Sequence, residues 1–385
     1  MKQKSISILG GGIAGLATAI ALNRTGFSAT VYEASAELRP VGAGLGLGAN
    51  AMMAFEQLGI KTEISRRGRQ LPSFTIYDQS GRKIMKTDHA ALSKGSNDRN
   101  FSIHRADLHE CLLHHLKSGQ LVLGKRLKHA SLDKDPLCLT FEDGTQVNTD
   151  FLIVADGIHS FIRKELLPDA ITRYAGYTCW RAVIDNNELQ LEESSETWGK
   201  NGRFGIVPLA NNKIYWFACL NRPRQDAEAA QYEISDLHKF FRNYHQPIPQ
   251  IIAQTRQEHL IWNDIIDLKP IERFAFKCVL LIGDAAHATT PNMGQGACQA
   301  IEDAVTLGQC LADATTIETA FADFEKKRLK RTAWITNTSW NIGRMAQLEN
   351  PFLISVRNAI FRLTPPSLNA KQLAKLNQVD FKTTG

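Results

Sequence analysis

The sequence predicts an α/β fold in which a parallel sheet carries an inserted antiparallel sheet and is followed by C-terminal helices. Three short apolar runs, residues 5–9, 151–154 and 278–282, each lead into a glycine or an aspartate and then into a helical pattern. Between the second and third runs, residues 174–269 are rich in aromatic and β-branched residues, which is typical of antiparallel strands. Strands joined by helices therefore frame a segment that is mostly strand.

The first apolar run leads directly into a glycine-rich turn. Gly10, Gly12 and Gly15 have the spacing G-x-G-x-x-G, and residues 16–22 continue as an alanine-rich helix. The first glycine permits a tight turn, the second lets a pyrophosphate approach the backbone, and the third lets the helix pack on the strand. Glu33 ends the next strand, 33 − 10 = 23 positions later, where an acid can bind the ribose hydroxyls of an adenosine. Together these features predict a dinucleotide-binding site.

Acidic or glycine-rich turns follow the other two apolar runs. Asp156-Gly157 follows the second run, and Asp284 stands at the carboxyl end of the third. An acid in that position can hydrogen-bond sugar-like hydroxyls. Gly294-Gln295-Gly296 opens a helix predicted for residues 297–305, so free backbone N–H groups there face a phosphate or an electron-rich ring.

These three motifs, in this order, resemble those of the group A flavoprotein monooxygenases, the para-hydroxybenzoate hydroxylase-like family. The glycine turn matches the FAD fingerprint of that family, Asp156-Gly157 matches its central Asp-Gly motif, and residues 283–296 match its flavin loop. The resemblance implies an FAD-binding Rossmann-like fold of the glutathione reductase type, with noncovalent FAD. Because the sequence has one glycine fingerprint, NAD(P)H is expected to bind as a transient cosubstrate without a Rossmann unit of its own.

The resemblance also implies which residues contact FAD. Arg105 matches an arginine near the ribityl-phosphate region, where its planar fork would hold phosphate oxygens; a solvent-exposed helix start is the alternative. Arg39 lies near FAD by the same comparison, although other members carry lysine there. The complete predicted set is Gly10, Gly12, Ala14, Gly15, Glu33, Ala34, Arg39, Gly46, Arg105, Leu127, Asp156, Gly157, Asp284, Gly294, Gln295, Gly296 and Ala297.

The activity implied by the family is hydroxylation of a small aromatic or heteroaromatic substrate. NAD(P)H reduces FAD, the reduced flavin reacts with O₂ to a C4a-hydroperoxide, and one oxygen passes to the ring. Pro291 begins the loop whose backbone N–H groups are expected to stabilise the negative charge of this chemistry, so it is included among the predicted catalytic residues. The sequence does not distinguish NADH from NADPH.

The inserted sheet contains four candidate substrate contacts: Arg181, Arg203, Tyr215 and Trp216. Arg203 and Tyr215 are 215 − 203 = 12 residues apart, with Pro208 five residues after the arginine, which resembles FAD-dependent urate hydroxylases. Arg203 and Tyr215 are therefore the predicted catalytic residues of the sheet, where they would bind or activate the ring. For each residue the alternative is an ordinary position on a half-buried sheet.

The predicted domains follow the same division. A hairpin of residues 74–77, turning at 79–81, is expected to join the inserted sheet. The C-terminal helices are expected either to close the substrate pocket or to cover the FAD domain. The predicted ranges are 1–72, 98–173 and 275–345 for a discontinuous FAD-binding domain, 73–97 and 174–274 for the substrate sheet, and 346–385 for the C-terminal segment.

Composition excludes several other classes of protein. With 385 residues, 43% hydrophobic residues and a net charge of +6, the chain has an ordinary soluble composition, and no apolar stretch reaches the roughly 20 residues of a membrane span. The basic run 326–331 is interpreted as a solvated helix surface, with Phe324 and Leu329 on its other face, so neither nucleic acid nor membrane is an expected partner. Seven cysteines without a Cys-x-x-Cys pair indicate reduced thiols in the cytoplasm.

The sequence also allows other interpretations of several histidines and of the function. His109, His114 and His115 lie on different faces of a helix, so no metal site is predicted. His287 is either a general base or, as we prefer, a packed loop histidine. At the level of function, an FAD-dependent reductase without oxygen insertion is the main alternative, and a non-catalytic nucleotide-binding protein is a third.

Overall fold

Both predicted sheets are present in the computed structural model, which describes residues 4–38, 43–88, 100–365, 374–379 and 381. The strands of these residues are β1 Ile6–Leu9, β2 Ala29–Tyr32, β3 Gly44–Leu47, β4 Arg69–Gln70, β5 Ser73–Asp78, β6 Lys83–Asp88, β7 Phe101–His104, β8 Leu121–Val122, β9 Leu127–Ser131, β10 Leu137–Phe141, β11 Gln146–Thr149, β12 Phe151–Val154, β13 Thr172–Asp185, β14 Ser194–Gly199, β15 Gly202–Leu209, β16 Lys213–Asn221, β17 Ile261–Leu268, β18 Ala275–Phe276 and β19 Val279–Leu281. The helices are α1 Ile13–Arg24, α2 Ala49–Gln57, α3 Lys61–Arg67, α4 Arg105–His114, α5 Phe161–Leu166, α6 Ile234–Phe241, α7 Ile248–Ala253, α8 Asp284–His287, α9 Gly296–Asp313, α10 Ile317–Ala346 and α11 Pro351–Leu363, with 3-10 turns at Ala229–Gln231, Gln257–His259 and Pro291–Met293.

The parallel sheet has the strand order β18-β19-β12-β1-β2-β8, and only β18 runs antiparallel to its neighbour. Strand β1 is buried along its whole length because it lies between β2 and β12 and is covered on both faces. The register aligns the carboxyl ends of the four central strands at one edge. The glycine turn, Glu33, Asp156 and Asp284 follow those strands and therefore gather at that edge.

The inserted sheet has seven strands in the order β17-β13-β16-β15-β14-β5-β6, and the hairpin of β5 and β6 joins it as predicted. Side chains alternate between its two faces. Trp180, Phe204 and Trp216 lie on the outer face, where they pack against α6 and α7 in a large apolar cluster. Arg203 and Tyr215 lie on the inner face, which contacts the parallel-sheet half of the molecule.

A buried ionic network joins the two long helices α9 and α10. Arg328 of α10 donates to Glu302 and Asp303 of α9 at 2.6 and 2.7 Å, and Arg331 donates to Glu302 at 2.7 Å. This corrects the sequence interpretation of residues 326–331 as a wholly solvated surface. Phe324 and Arg328 are one helical turn apart and share the buried face, so the basic run has an inward arginine as well as outward lysines.

The C-terminal helix α11 packs on the inner face of the inserted sheet, at its β14-β5-β6 end. The Phe361 ring meets the Trp198 ring edge-on, with centroids 5.5 Å apart. Arg362 pairs with Asp78 of β5 at 2.7 Å. The helix therefore covers part of the inserted sheet and not the parallel sheet.

The α/β architecture with an inserted antiparallel sheet and C-terminal helices confirms the predicted fold class. The division of the chain into domains by residue range stays a prediction.

Candidate functional site

The glycine turn between β1 and α1 has the backbone geometry that its spacing predicts. Gly10 has φ +102°, and a Cβ there would lie 2.3 Å from the Ala155 carbonyl oxygen. A Cβ on Gly15 would lie 1.9 Å from the carbonyl oxygen of Gly10, so only glycine allows α1 to pack this closely. By contrast, a Cβ on Gly12 would meet nothing within 4 Å, so the first turn of α1 faces open space beside Ala14.

Glu33 lies directly beside this turn. Its carboxylate accepts hydrogen bonds from the backbone N–H groups of Gly11 at 2.7 Å and Ser35 at 2.8 Å. The Glu33 carbonyl accepts from Lys125 N–H, which brings the segment before β9 next to half-buried Ala34. Leu127, two residues further on, is half-buried and begins β9. These contacts build a polar pocket with an acid and several backbone groups at the outer end of the parallel sheet.

Two acids line the middle of the same edge. One oxygen of Asp156 accepts from Phe161 N–H at 3.1 Å, whereas Oδ1 is buried and has no hydrogen-bond partner. Burial raises the pKa of Asp156, and it also raises the pKa of Asp284. The Asp284 side chain is open to the space along this edge of the sheet, called the crevice below, although protein surrounds it on most sides. The charges of His287 and then of Arg105 partly oppose this rise of its pKa. Gly157, with φ +84°, leaves open space next to Asp156.

The loop after α8 forms the inner end of the crevice. Exposed Pro291 begins a 3-10 turn, Gly294 has the left-handed φ of +63°, and Gly296 and Ala297 begin α9. A Cβ on Gly294 would meet nothing within 4 Å. Gln295 is buried and accepts a hydrogen bond from Asn50 Nδ2 at 2.9 Å. Its side chain therefore anchors the loop to α2. The backbone N–H groups of this helix start therefore remain available to a bound group.

The inner face of the inserted sheet meets this loop through Asn292. The Asn292 Oδ1 atom accepts hydrogen bonds from Arg203 Nη2 and from the Tyr177 hydroxyl at 3.0 Å, and its Nδ2 donates to Thr290 and Ser339. Arg203 is buried, donates through Nη1 to Glu196 at 3.0 Å, and stacks its guanidinium 4.9 Å from the Tyr177 ring centre. Arg203 is thus held between the sheet and the loop.

Tyr215 lies at the other end of this face. A Cβ on Gly44 of β3 would fall 2.5 Å from the Tyr215 ring, so the ring packs flat against the glycine backbone. Phe217 lies between Tyr215 and Cys219 on the same strand, and its ring crosses Gly205, where a Cβ would be 2.1 Å away. Burial raises the pKa of Tyr215. The face therefore combines aromatic surface with arginine donors.

The crevice has the features that an elongated dinucleotide requires. Three glycines, Gly12, Gly157 and Gly294, border open space along it, and a buried carboxylate oxygen of Asp156 lacks a partner. The FAD binding domain family matches residues 3–337 of the chain. The chain belongs to the group A flavoprotein monooxygenases.

Several relatives and solved structures resemble this monooxygenase over most of its length. It is 35% identical to aurachin C monooxygenase/isomerase of Stigmatella aurantiaca, over 93% of this chain and 94% of that one. It is 32% identical to 2-heptyl-3-hydroxy-4(1H)-quinolone synthase of Pseudomonas aeruginosa over 94% of each, and 31% identical to FAD-dependent urate hydroxylase of Klebsiella pneumoniae over 84% and 85%. The structure of Klebsiella pneumoniae HpxO with FAD and uric acid has a TM-score of 0.90 at 27% identity, covering 97% of both chains. FAD is therefore the cofactor of this enzyme.

The structure separates the four sheet residues that the sequence singled out. Arg203, Tyr215 and Arg181 lie on the inner face of the monooxygenase's sheet, because their strands alternate in register. Trp216 is one residue from Tyr215 and therefore points to the outer face, where it is fully buried and donates to Thr255. Trp216 is thus a core residue of the outer cluster.

Among the predicted cofactor contacts, Arg39 lies outside the described residues. Gly46 lies in β3, and a Cβ there would meet nothing within 4 Å. Arg105 is exposed at the start of α4, close enough to Asp284 to affect its pKa. His109, considered above only as a metal ligand, donates from Nε2 to the Gly11 carbonyl at 2.7 Å and so supports the glycine turn.

Glu63, Cys111 and His115 have potential metal-binding atoms within 4.8 Å of one another. Arg67 pairs with Glu63 at 3.1 Å, and burial raises the pKa of the Cys111 thiol to about 12. The Nδ1 atom of His115 also contacts the Cys111 carbonyl oxygen at 2.9 Å. We assign this cluster to the packing of α3 on α4, because Glu63 and His115 already have protein partners. His287 is buried and donates to Asp303 at 2.6 Å, which is the environment of a packed histidine.

Sequence reasoning missed Asn292, Tyr177 and Arg163. Arg163 is buried near Asp156 and Asp284, and it donates to the carbonyl groups of Ala285 and Ile158, which ties the two acidic turns together. Asn292 was visible inside the flavin loop, and Tyr177 lay in the string Tyr174-Ala175-Gly176-Tyr177. Neither position carries a local signal for its partner, because each contact joins residues 89 or more positions apart.

Proposed function

We propose that this enzyme uses NAD(P)H and O₂ to hydroxylate a nitrogen-containing heteroaromatic ring at a site between the inserted sheet and the flavin loop. The contact of Arg203 with Asn292 carries this proposal, because it joins the candidate substrate face to the loop that begins α9. The sheet face then forms a roof over the position where the reacting part of the cofactor would lie.

The cofactor would be held along the crevice. Gly10, Gly12, Ala14 and Gly15 would bind the pyrophosphate at the start of α1, and Glu33, with Ala34 and Leu127, would bind the adenosine. Asp156-Gly157, Arg105 and Asp284 would contact the central phosphate and ribityl region. Gly46 and the backbone from Gly294 to Ala297 would contact the ring. When bound, FAD would supply hydride acceptance from NAD(P)H and activation of O₂.

The protein's part is to orient the substrate and to stabilise charge. The N-terminus of α9 favours negative charge at the flavin loop, because its first N–H groups are free and its dipole is positive there. Pro291 starts the turn that orients these N–H groups, and Gln295 holds the turn through its hydrogen bond with Asn50. Tyr215 and Phe217 would exclude water from the ring of the substrate.

The inner face also suggests a substrate class. The Nε atoms of Arg181 and Arg203 are buried without a hydrogen-bond partner, and leaving them so is costly. A ring carbonyl or enolate oxygen would satisfy such donors, while Phe217 and the thiols of Cys179 and Cys219 offer apolar contact. The relatives at 35% and 32% identity are an aurachin C monooxygenase/isomerase and a 2-heptyl-3-hydroxy-4(1H)-quinolone synthase. We therefore favour a bicyclic quinolone-type ring over a monocyclic phenol.

The deciding experiment is isotope labelling of the product. The purified holoenzyme is supplied with NADH or NADPH, ¹⁸O₂ and in turn a 4-quinolone, urate and salicylate. We expect the quinolone to gain one labelled oxygen and to accelerate NAD(P)H oxidation most. A reduced product without a requirement for O₂, or label derived only from water, would contradict oxygen insertion and favour a reductase.

A further inference from the structure

Two cysteines lie directly opposite each other on the inner face of the inserted sheet. Cys179 of β13 and Cys219 of β16 are partners in the antiparallel register, and both are free thiols. Residues in that relation have Cα atoms about 4.5 or 5.5 Å apart, and a disulfide joins Cα atoms that are about 4.4–6.8 Å apart. The two sulfur atoms can therefore bond without a shift of either strand.

Two arginines adjoin this pair of thiols. Arg203 is the partner of Cys219 on the side away from Cys179, because β16 lies between β13 and β15. Arg181 follows Cys179 by two residues and therefore lies on the same face of the sheet. A positive environment favours the thiolate form of a cysteine, and the thiolate is the form that reacts with oxidants.

The two thiols are not equivalent. A hydrogen bond from Cys219 lowers the pKa of Cys179, burial opposes this change, and the charges of Arg181 and then Arg203 lower the pKa further. When it is protonated, the Cys179 thiol makes a weak contact with the Trp180 carbonyl oxygen at 3.5 Å. Burial raises the pKa of Cys219, and its hydrogen bond with Cys179 raises it further. A thiolate beside a thiol is the arrangement of an attacking and a resolving cysteine.

The buried pair adjoins a more open part of the same face. Cys179 is 4% exposed and Cys219 is 1% exposed. The next cross-strand pair on this face, Arg181 with Phe217, is half-buried, and so is the following pair, Val183 with Tyr215. One pair of side chains therefore separates the thiols from the open part of the face. This position favours a small, uncharged oxidant over a bulky one.

We propose that Cys179 and Cys219 form a modification site on this face, a dithiol that hydrogen peroxide oxidises to an intramolecular disulfide. The Cys179 thiolate attacks one oxygen of H₂O₂, the O–O bond breaks, and hydroxide leaves as a sulfenic acid forms on Cys179. The Cys219 sulfur loses its proton, attacks the Cys179 sulfur and displaces the hydroxyl group as water. In total, two thiols lose two electrons and two protons, and one H₂O₂ becomes two molecules of water.

The proposed function supplies this oxidant at the same place. On that function, turnover without product releases H₂O₂ between the inserted sheet and the flavin loop. Arg203, which adjoins Cys219, is the residue that contacts Asn292 of that loop. Uncoupled turnover would therefore generate peroxide beside the dithiol. The reaction of the dithiol with added H₂O₂ does not depend on the substrate or on the proposed function.

Alkylation of the remaining thiols after peroxide treatment tests the site. The holoenzyme, without NAD(P)H or substrate, is incubated with H₂O₂, treated with catalase, and unfolded in guanidinium chloride with N-ethylmaleimide. We expect two of the seven cysteines to escape alkylation and to appear in a cross-linked pair of tryptic peptides containing Cys179 and Cys219. Dithiothreitol should restore both thiols. Cys138 and Cys278 are internal controls, because they are only half-buried and should nevertheless stay reduced.

Serine variants distinguish the roles of the two cysteines. Cys219→Ser should stop at a sulfenic acid on Cys179, which dimedone traps, because a serine hydroxyl can donate the same hydrogen bond but cannot form the disulfide. Cys179→Ser should leave Cys219 unmodified. The matched control is Cys310→Ser, at a buried cysteine of α9, which should form the disulfide like the wild type.

Two results would overturn the proposal. One is full alkylation of Cys179 and Cys219 at a peroxide concentration that already oxidises Cys138. The other is a gain of oxygen atoms on Cys179 or Cys219 of the wild type without a cross-link between them. Because the oxidant is added and no substrate is present, either result would leave the labelling experiment unaffected, and failure of the labelling experiment would leave this site unaffected.

Discussion

At the scale of single residues, the site depends on side chains that bridge two parts of the fold. Arg203 contacts Glu196 on its own sheet and Asn292 in the flavin loop through two different nitrogens. A planar guanidinium can serve both partners at once, whereas a lysine ammonium presents a single point charge. Arg203 therefore helps to fix the position of the loop relative to the sheet, together with the hydroxyl of Tyr177.

Replacing Arg203 by lysine should uncouple the reaction while FAD stays bound. One charge-assisted hydrogen bond, worth about 1.5–3 kcal/mol, would be lost, which corresponds to roughly 10- to 100-fold in kcat/KM. The measurement is product formed and H₂O₂ released per NAD(P)H consumed. The control is Arg173→Lys, because Arg173 is also paired with a buried acid, Asp267. This variant should change the stability of the protein but not the coupling of the reaction. Coupling that is unchanged in Arg203→Lys would assign the arginine to structure alone.

Substitution by alanine should have different effects at two glycines of the turn between β1 and α1. Gly12→Ala places its methyl group in open space, so the apoprotein should melt normally but bind FAD at least about tenfold more weakly. Gly15→Ala places a carbon 1.9 Å from the Gly10 carbonyl oxygen, so the apoprotein itself should be destabilised. Thermal unfolding of the apoproteins and FAD titration by fluorescence separate the two effects. Normal FAD affinity in Gly12→Ala would exclude a close approach of the pyrophosphate there.

At the scale of elements, α9 and α10 hold the flavin loop through buried charge. Asp303 accepts from the backbone N–H of Gly283, immediately before Asp284, and Glu302 accepts from Asn50, which in turn donates to Gln295. Although burial opposes ionisation, neighbouring cations hold the pKa values of both carboxyl groups below their ordinary range: Arg328 and then Arg331 at Glu302, and His287 and then Arg328 at Asp303. The network thus fixes both ends of residues 283–295.

Arg328→Met should therefore be strongly destabilising. Removing one partner of a buried ion pair costs about 3–5 kcal/mol, and here Glu302 would keep only Arg331, and Asp303 only His287, as a charged partner. Since both acids have lowered pKa values, their contribution to stability is complete above the unfolded pKa of about 4 and is lost as pH falls through the folded values. The difference between wild type and variant should shrink below about pH 4.

The denaturation midpoint in urea, measured from pH 7 downward, checks this prediction. Lys326→Met on the same helix is the control, because Lys326 is 77% exposed and should contribute little. A difference that stays constant with pH would show that packing, and not charge, accounts for the effect of Arg328.

At the scale of the whole molecule, the inserted sheet is attached to the FAD-binding half at separate points. Arg203 and Tyr177 meet Asn292 at one end, and Tyr215 packs on Gly44 at the other. Ser102 of β7 also donates to the Pro208 carbonyl between the two halves. The inner face of the inserted sheet is therefore positioned by contacts at both of its ends.

Gly44→Ala should disturb this attachment without removing any side chain. The added methyl group would lie 2.5 Å from the Tyr215 ring, so the ring must move. We expect more H₂O₂ per NAD(P)H and a higher KM for the substrate at unchanged FAD content. Gly46→Ala is the comparison, because its methyl group meets no protein atom and should weaken FAD instead. Unchanged coupling and KM in Gly44→Ala, or a loss of FAD as large as that of Gly46→Ala, would contradict this prediction.

The family and the fold were predictable from the sequence because their signals are local. The run β1, glycine turn and α1 is encoded within about 20 consecutive residues, by apolar periodicity and by positions that tolerate only glycine. Asp156-Gly157 and the flavin loop are equally contiguous, and the alternation of the inserted strands indicated an antiparallel sheet. A local pattern could not separate Tyr215 from Trp216, since the choice of face depends on which side of the sheet meets α6 and α7.

What the sequence by itself determined is the set of elements, the cofactor and the class of reaction. Only the tertiary structure decided how those elements meet: Arg203 with Asn292, Arg328 with Glu302 and Asp303, and Arg357 with Trp198. The basic run of α10 shows the same dependence on tertiary contacts, because its Arg328 points inward to Glu302 and Asp303. Periodicity describes the faces of a helix, but which face is buried depends on partners distant in the chain, because burial and charge pairing are properties of the assembled fold.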